Sequence, residues 1–327
     1  MSFQNCKILS VGGSADDYHA AKGERGSPNF KVSPSMLSIF GQCAARWRAG
    51  YEPPSSEAKS WGNLLDGLWL TPESFKARFA VKPATYPSKE GEKPFNANST
   101  WCRNWIDEQG DKQIVSKSEV SEAQAAILKL DHDEVDGVKL IRSVYDQSDK
   151  QVHVFGEWHD ELTRFTVPVE CLIDLAPKAE SEFASCLADL KSTRNAGLNA
   201  FQRWAYQANY HVQAAFDLDL YSAATGEARD TWLFILQENY PPWTVGRRML
   251  SQDFIQIGRQ TYQDLLSRYC RCLKTNVWPS YDDHPETVQG WSLVEPMLFM
   301  EYQALSESLE RNQKSALEEE PVDVPMP

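Results

Sequence analysis

The middle of the chain alternates apolar and polar residues, and helical spacing takes over on both sides of it. Gln151-Val-His-Val-Phe-Gly-Glu157 reads as a half-buried strand, because side chains two apart share one face. The sheet continues through 162–169 into Val167-Pro-Val-Glu-Cys-Leu-Ile-Asp174. After a polar loop comes Ser185-Cys-Leu-Ala-Asp-Leu-Lys191, a second short apolar strand that ends in charged residues. The run Thr231-Trp-Leu-Phe-Ile-Leu-Gln237 predicts a buried strand. Residues 199–224 predict one long helix. Residues 251–274 predict an amphipathic helix with Phe254, Ile257, Tyr262, Leu265 and Leu266 toward the core.

Toward the amino terminus, Ser33 suits a helix cap and Pro34 the first helical position, with Leu37, Phe40 and Ala44 on a shared face. A mostly apolar helical segment spans 61–70, and 138–145 fits helix or strand equally. Ser116-Lys-Ser-Glu119 is a capping box that opens a helix to about Leu130. Residues 82–100, rich in Lys, Glu, Pro, Ser and Asn, predict a mobile surface loop. Pro241-Pro242 breaks the chain, and a last helix is expected at 296–315. The expected organisation is an irregular arm at 1–30, one domain at 31–316 with its core at about 150–240, and an acidic disordered tail at 317–327.

With 327 residues, 42% of them hydrophobic, the chain can bury a large core. Mean hydropathy is -0.50, and no apolar run approaches the ~20 residues that span a bilayer. The amino terminus lacks a charged start followed by an apolar stretch, so a soluble cytoplasmic protein is expected. The seven cysteines are odd in number and scattered, which favours free thiols, and Cys270-Arg-Cys272 lacks the further pair a metal–thiolate site needs. A net charge of -13 excludes a broad basic surface for nucleic acid. It does not exclude an enzyme with a small cationic cleft, since charges are screened over about 8 Å at physiological salt.

Asp189 and Lys191 are two apart in a strand and point the same way, with Leu190 directed into the core. If the two strands pair as a hairpin, Asp174 lies beside Asp189. Two carboxylates a few ångströms apart repel by about 1 kcal/mol in water and roughly 4 kcal/mol at an effective dielectric of 20. A divalent cation relieves that repulsion, and the lysine then orients or deprotonates a bound water, which is the chemistry of phosphodiester hydrolysis. The plain alternative is a hairpin that ends in a solvated salt bridge.

The motifs, taken in order, give the chain a family resemblance. Ser33-x-Ser35-x-Leu37-x-x-Phe40-x-x-Cys43-x-x-Arg46 is similar to the opening helix of the PD-(D/E)xK nucleases, in their phage and prophage RecE-type (exonuclease VIII-like) branch. Gly62-Asn-Leu-Leu-Asp66 resembles their Gly-Thr-x-x-His element, Ile173-Asp174 their Pro-Asp, and Asp189-Leu-Lys-Ser-Thr193 their Asp-x-Lys-Thr-Thr. Tyr210-His-Val-Gln213 resembles the start of the following helix, and Trp278-Pro-Ser-Tyr281 a Trp-x-x-Tyr near the carboxyl end. The resemblance covers roughly 33–300 and departs at Asp66, where the family has histidine, and at Asp217, where it has tyrosine.

The resemblance implies an α/β fold with a restriction-endonuclease-like core: a mixed central sheet, a helical amino-terminal portion and a carboxyl-terminal helical region. One or two Mg²⁺ or Mn²⁺ ions would be held by Asp174, Asp189, the Leu190 carbonyl, Asp66 and Glu157. Lys191, Gln213 and Tyr210 would serve catalysis, while Arg46, Ser192, Thr193, Arg194 and Arg203 would contact DNA. It further implies a processive 5′→3′ exonuclease on double-stranded DNA ends, leaving 3′ strands for a single-strand annealing recombinase. A ring-shaped homo-oligomer and, for a phage protein, the bacterial host cytosol belong to the same expectation. The rivals are an inactive DNA-binding or inhibitory module of this fold and a CRISPR-associated iron–sulfur nuclease using Cys43.

Overall fold

A mixed six-stranded sheet organises the chain. Its strands are β1 (Ser2–Ser10), β2 (Ser148–Asp160), β3 (Phe165–Pro177), β4 (Cys186–Thr193), β5 (Thr231–Glu238) and β6 (Val245–Met249), and they lie side by side in chain order. Neighbours run antiparallel except β4 and β5, which are parallel in register from Cys186 opposite Thr231 to Thr193 opposite Glu238. The structure, a computed structural model, describes residues 2–13, 18, 22–54 and 57–281 (backbone alone at 57), and the backbone of 287, 288, 291 and 292. Residues 1–280 form one unit and 281–327 another, in which Thr287–Val288 pairs antiparallel with Trp291–Ser292. The helix expected at 296–315 and the tail at 317–327 lie outside the described residues.

Six helices position the site: α1 (Pro34–Gln42), α2 (Glu57–Trp69), α3 (Lys117–His132), α4 (Leu198–Gln207), α5 (Tyr210–Thr225) and α6 (Gln252–Thr275). The two-residue period of the strands divides the apolar side chains between two cores. Leu187 and Phe234 join one with α1, α5 and α6, built on Trp47, Trp158, Phe216 and Tyr262. Their neighbours Ala188 and Ile235 join the other, with Leu64 and Leu65 of α2 and Leu130 of α3. A parallel pair needs a crossover, and α4 with α5 supplies it between β4 and β5. In α5, His211, Val212, Ala214–Leu218, Leu220 and Tyr221 are all buried, as expected of a helix covered on every side. The capping box forms as read: the Glu119 N–H donates to Ser116 Oγ at 3.1 Å, and the Ser116 N–H to Glu119 Oε2 at 2.7 Å.

Several expectations are corrected. The arm at 1–30 contains β1, whose weak alternation follows from its place at the sheet edge, where nearly every side chain is exposed. The loop at 82–100 holds a hairpin of Thr85–Ser88 with Gly91–Pro94. The stretch at 138–145 resolves as a helix, Leu140–Asp146. The long helix over 199–224 is broken, because Asn209 adopts the left-handed conformation (φ 57°) and starts α5 afresh. Ile257, expected in the core, is 46% exposed, whereas Tyr262 and Leu266 are buried as read.

Candidate active site

The site lies where β3 and β4 part. They share the antiparallel pair Leu175–Ala188, so the next step along brings Asp174 and Asp189 to facing positions. There the Asp174 carboxylate takes over from the backbone: its Oδ2 accepts the Leu190 N–H at 2.9 Å, and its Oδ1 accepts from Gln151 Nε2 at 2.9 Å. Leu190 turns into the second core, as its position between two charged residues requires. Lys191 Nζ sits 3.0 Å from Asp189 Oδ1 and 2.9 Å from Oδ2. Gln213, in the first turn of α5, closes the arrangement by accepting from Lys191 Nζ at 3.2 Å and donating to Asp189 Oδ1 at 3.1 Å. The Tyr210 ring lies under the ammonium, 5.0 Å from its centroid.

Asp66 reaches this group from α2, and Gly62 allows the approach. A side chain at Gly62 would meet Ser192 Oγ at 3.3 Å, so the absence of one lets α2 press against β4. Ser192 Oγ donates to the Ala58 carbonyl at 3.4 Å, which seals the same contact. Burial is the first cause that raises all three carboxyls. Asp174 is raised well above its usual range, with repulsion from Asp189 and Asp66 adding to burial. Asp189 is raised by burial, while Lys191 and Gln213 oppose the rise. The Asp66 carboxyl is pushed up to about 7, chiefly by burial, against Lys191 and Arg78. For Lys191, burial works against the charge, but Asp189, Tyr210 and Asp174 outweigh it and hold the ammonium above its usual range. In this state Lys191 is an anchored cation and not a proton acceptor.

A carboxyl whose folded pKa is raised contributes stability fully below its unfolded value and loses it as pH climbs through the folded one. For Asp66 that window runs from about 4 to about 7. Chelator-treated protein should therefore lose stability across this interval, and Asp66→Asn should lose less. Urea unfolding at both ends of the window checks this, and identical slopes for the two proteins would refute it.

The donor set suits a hard divalent cation in kind. It offers carboxylate oxygens on neighbouring strands, held uncomfortably close, and the buried Asp189 Oδ2 has the Lys191 ammonium at 2.9 Å as its neighbour. The assembly differs from expectation, however. Among the described residues no three His, Cys, Asp or Glu side chains are grouped closely enough to hold an ion, and the Lys191 ammonium and the Gln151 amide contact Asp189 and Asp174. Glu157, expected as a ligand, is not brought to the group. It pairs opposite Pro168, roughly 20 Å along the strand from Gln151 at about 3.3 Å per residue, and accepts from Asn5 Nδ2 at 2.7 Å.

The other predicted residues divide. Thr193 Oγ1 accepts from the Asn195 N–H at 3.2 Å, and so folds the turn after β4. Arg194 and Arg203 are exposed, and the exposed Arg46 guanidinium stacks on Tyr51 at 3.8 Å. Cys43, Cys270 and Cys272 are buried free thiols, and burial pushes Cys270 up to about 12. Sequence reasoning missed Gln151, which sits at a positive φ of 47° at the foot of β2 and carries no motif signal. Asp217, one turn after Gln213, is buried with Oδ1 unpartnered, and burial holds its carboxyl well above the usual range. A cavity of about 420 Å³ opens beside Lys191, lined by Ser35, Ile39, Leu172, Tyr210, Gln213 and Asp217.

A family model described as a PDDEXK-like domain of unknown function (DUF3799) matches residues 33–290. A solved structure from Eubacterium rectale, described as a "Putative exonuclease", aligns with a TM-score of 0.52 and 14% identity, covering 89% of this chain and 98% of that one. At that identity the likeness shows the fold alone. No curated protein matches the chain.

Proposed function

Because the chain belongs to the PDDEXK-like domains, we propose that it is a metal-dependent deoxyribonuclease acting as an exonuclease on double-stranded DNA ends. The observation that carries this reading is the contact set of Asp189, Lys191 and Gln213 beside Asp174, formed by residues from two strands and a helix. Domains of this kind generally use divalent metal ions, and a Mg²⁺ or Mn²⁺ ion, when bound, would supply Lewis-acid activation of water and charge neutralisation at the phosphate. Asp174, Asp189 and the Leu190 carbonyl, with Asp66 from α2, are the groups that would hold it.

The chain's own side chains do the rest. Lys191, fixed by Asp189 and Gln213, offers its ammonium to a phosphate oxygen or to the attacking water. Gln213 orients both Lys191 and Asp189, so neither needs to reorganise as charge develops. Tyr210 closes the floor beneath the ammonium and limits its hydration. Arg194 and Arg203, both exposed, would contact the phosphate backbone. Digestion from the 5′ strand, release of a 3′ strand to an annealing recombinase, and a ring-shaped homo-oligomer complete the proposal, supported by the order of motifs along residues 33–290.

Incubation with Mg²⁺ of linear duplex labelled at either end, beside closed circular duplex, tests the reading. Linear DNA should shorten progressively from its 5′ ends while circles stay intact. Nicked or linearised circles would replace exonuclease with endonuclease. Absence of cleavage from both substrates would favour a DNA-binding or inhibitory module.

A further inference from the structure

Trp204 stands out on the crossover between the two elements that carry the site. Trp47, Trp158 and Trp232 are all but inaccessible, whereas Trp204 is 53% exposed. A large apolar ring left open to water is the informative exception. Its orientation is fixed, because its Nε1–H donates to the Tyr210 hydroxyl at 3.3 Å. Tyr210 is itself packed between Phe201 and Phe234, with Lys191 Nζ over its ring. Three direct contacts thus run from an open indole through Tyr210 and Lys191 to Asp189. Arg203, beside it in the chain, is exposed, and so is Leu198 at the start of the same helix.

From this we infer that Trp204 is a stacking platform for a nucleobase of an unpaired strand next to the scissile phosphate; the inference rests on the nuclease reading and specifies its substrate contact. A protein of net charge -13 gains nothing from long-range attraction to a polyanion, so short-range contacts must hold the strand. Aromatic stacking suits that need, since every base has a π face and the contact tolerates any sequence. The bond to Tyr210 restrains the ring before the base arrives, and so reduces the entropy lost on binding. Arg203 would supply the accompanying phosphate contact.

Binding of fluorescein-labelled oligodeoxythymidylate to the full-length protein, with Ca²⁺ in place of Mg²⁺, reads the effect by anisotropy. Trp204→Ala should weaken binding by about five- to a hundredfold. Trp204→Phe should restore most of the affinity, since it keeps a π face but not the bond to Tyr210. An abasic site walked along the oligonucleotide should reveal one position at which wild type falls to the affinity of Trp204→Ala. Equal affinities of wild type and Trp204→Ala, failure of phenylalanine to rescue, or no abasic position with this behaviour overturns the inference. Failure of the nuclease reading looks different: the wild type would bind and show the Trp204 dependence, yet leave DNA uncut in Mg²⁺.

Discussion

Replacing Lys191 by alanine should lower Mg²⁺-dependent DNA cleavage by about 10²–10⁴-fold, the range for removal of a positioned proton-handling or charge-stabilising group. The substitution also strands a buried acid. Asp189, whose side chain is only 6% exposed, loses the cation at 2.9 Å and keeps Gln213 as its remaining hydrogen-bond donor. Breaking such a pair costs roughly 3 kcal/mol, the low end of the fully buried range, because Lys191 retains some contact with water. The sign of the pH dependence follows. Without Lys191, the Asp189 carboxyl rises further above its unfolded value, so the variant loses stability as pH rises. The gap to wild type should therefore be wider at pH 8 than at pH 5 in urea unfolding. Equal cleavage by the two proteins would remove Lys191 from the mechanism, and a gap that ignores pH would remove the electrostatic account of its pairing.

Gly258→Ala should destabilise the fold by about 3 kcal/mol or more, at the upper end of overpacking costs. Two effects compete here. Alanine is the better helix former by about 1 kcal/mol, which alone predicts a gain in stability. Yet a Cβ at Gly258 would collide with the His211 carbonyl oxygen and sit 3.1 Å from the Val212 nitrogen. These are backbone atoms of the next helix and cannot swing aside, so α5 and α6 must separate. The clash falls in the first turn of α5, which also carries Tyr210 and Gln213, and cleavage should therefore fall with stability. Gln260→Ala on an exposed position of α6 serves as the reference. Should Gly258→Ala prove as stable as that reference, the close crossing of the two helices is wrong.

What could be read from the sequence was what depends on near neighbours. The two-residue period placed Asp189 with Lys191 and sent Leu190 the other way, and the Ser116–Glu119 box lies within one helical turn. What could not be read depends on distance and on edges. Glu157 lies on the alternating strand paired with the one that carries Asp174, but periodicity gives a face and not a position along it. The start of α5 hinges on one left-handed Asn209, a conformation asparagine tolerates without announcing it. Gln151 acts through a local irregularity at the foot of its strand. The family resemblance pointed to Asp66, and only the contact of Gly62 with Ser192 explains why α2 comes near enough to deliver it.

The strand at the border of the sheet has its own consequence. Among the described residues β1 pairs with β2 on one side only, and its register slips between Gln4 and Lys7 and again between Ile8 and Ser10. Asn5, in the first slip, takes a φ of 49° and is pinned through its amide to Glu157. A straight run of free N–H and C=O groups would invite another molecule to add a strand and start a chain of such additions. Two dislocations in nine residues deny that template its regular spacing. The acid first expected to grip an ion instead holds the side chain at one of those two dislocations.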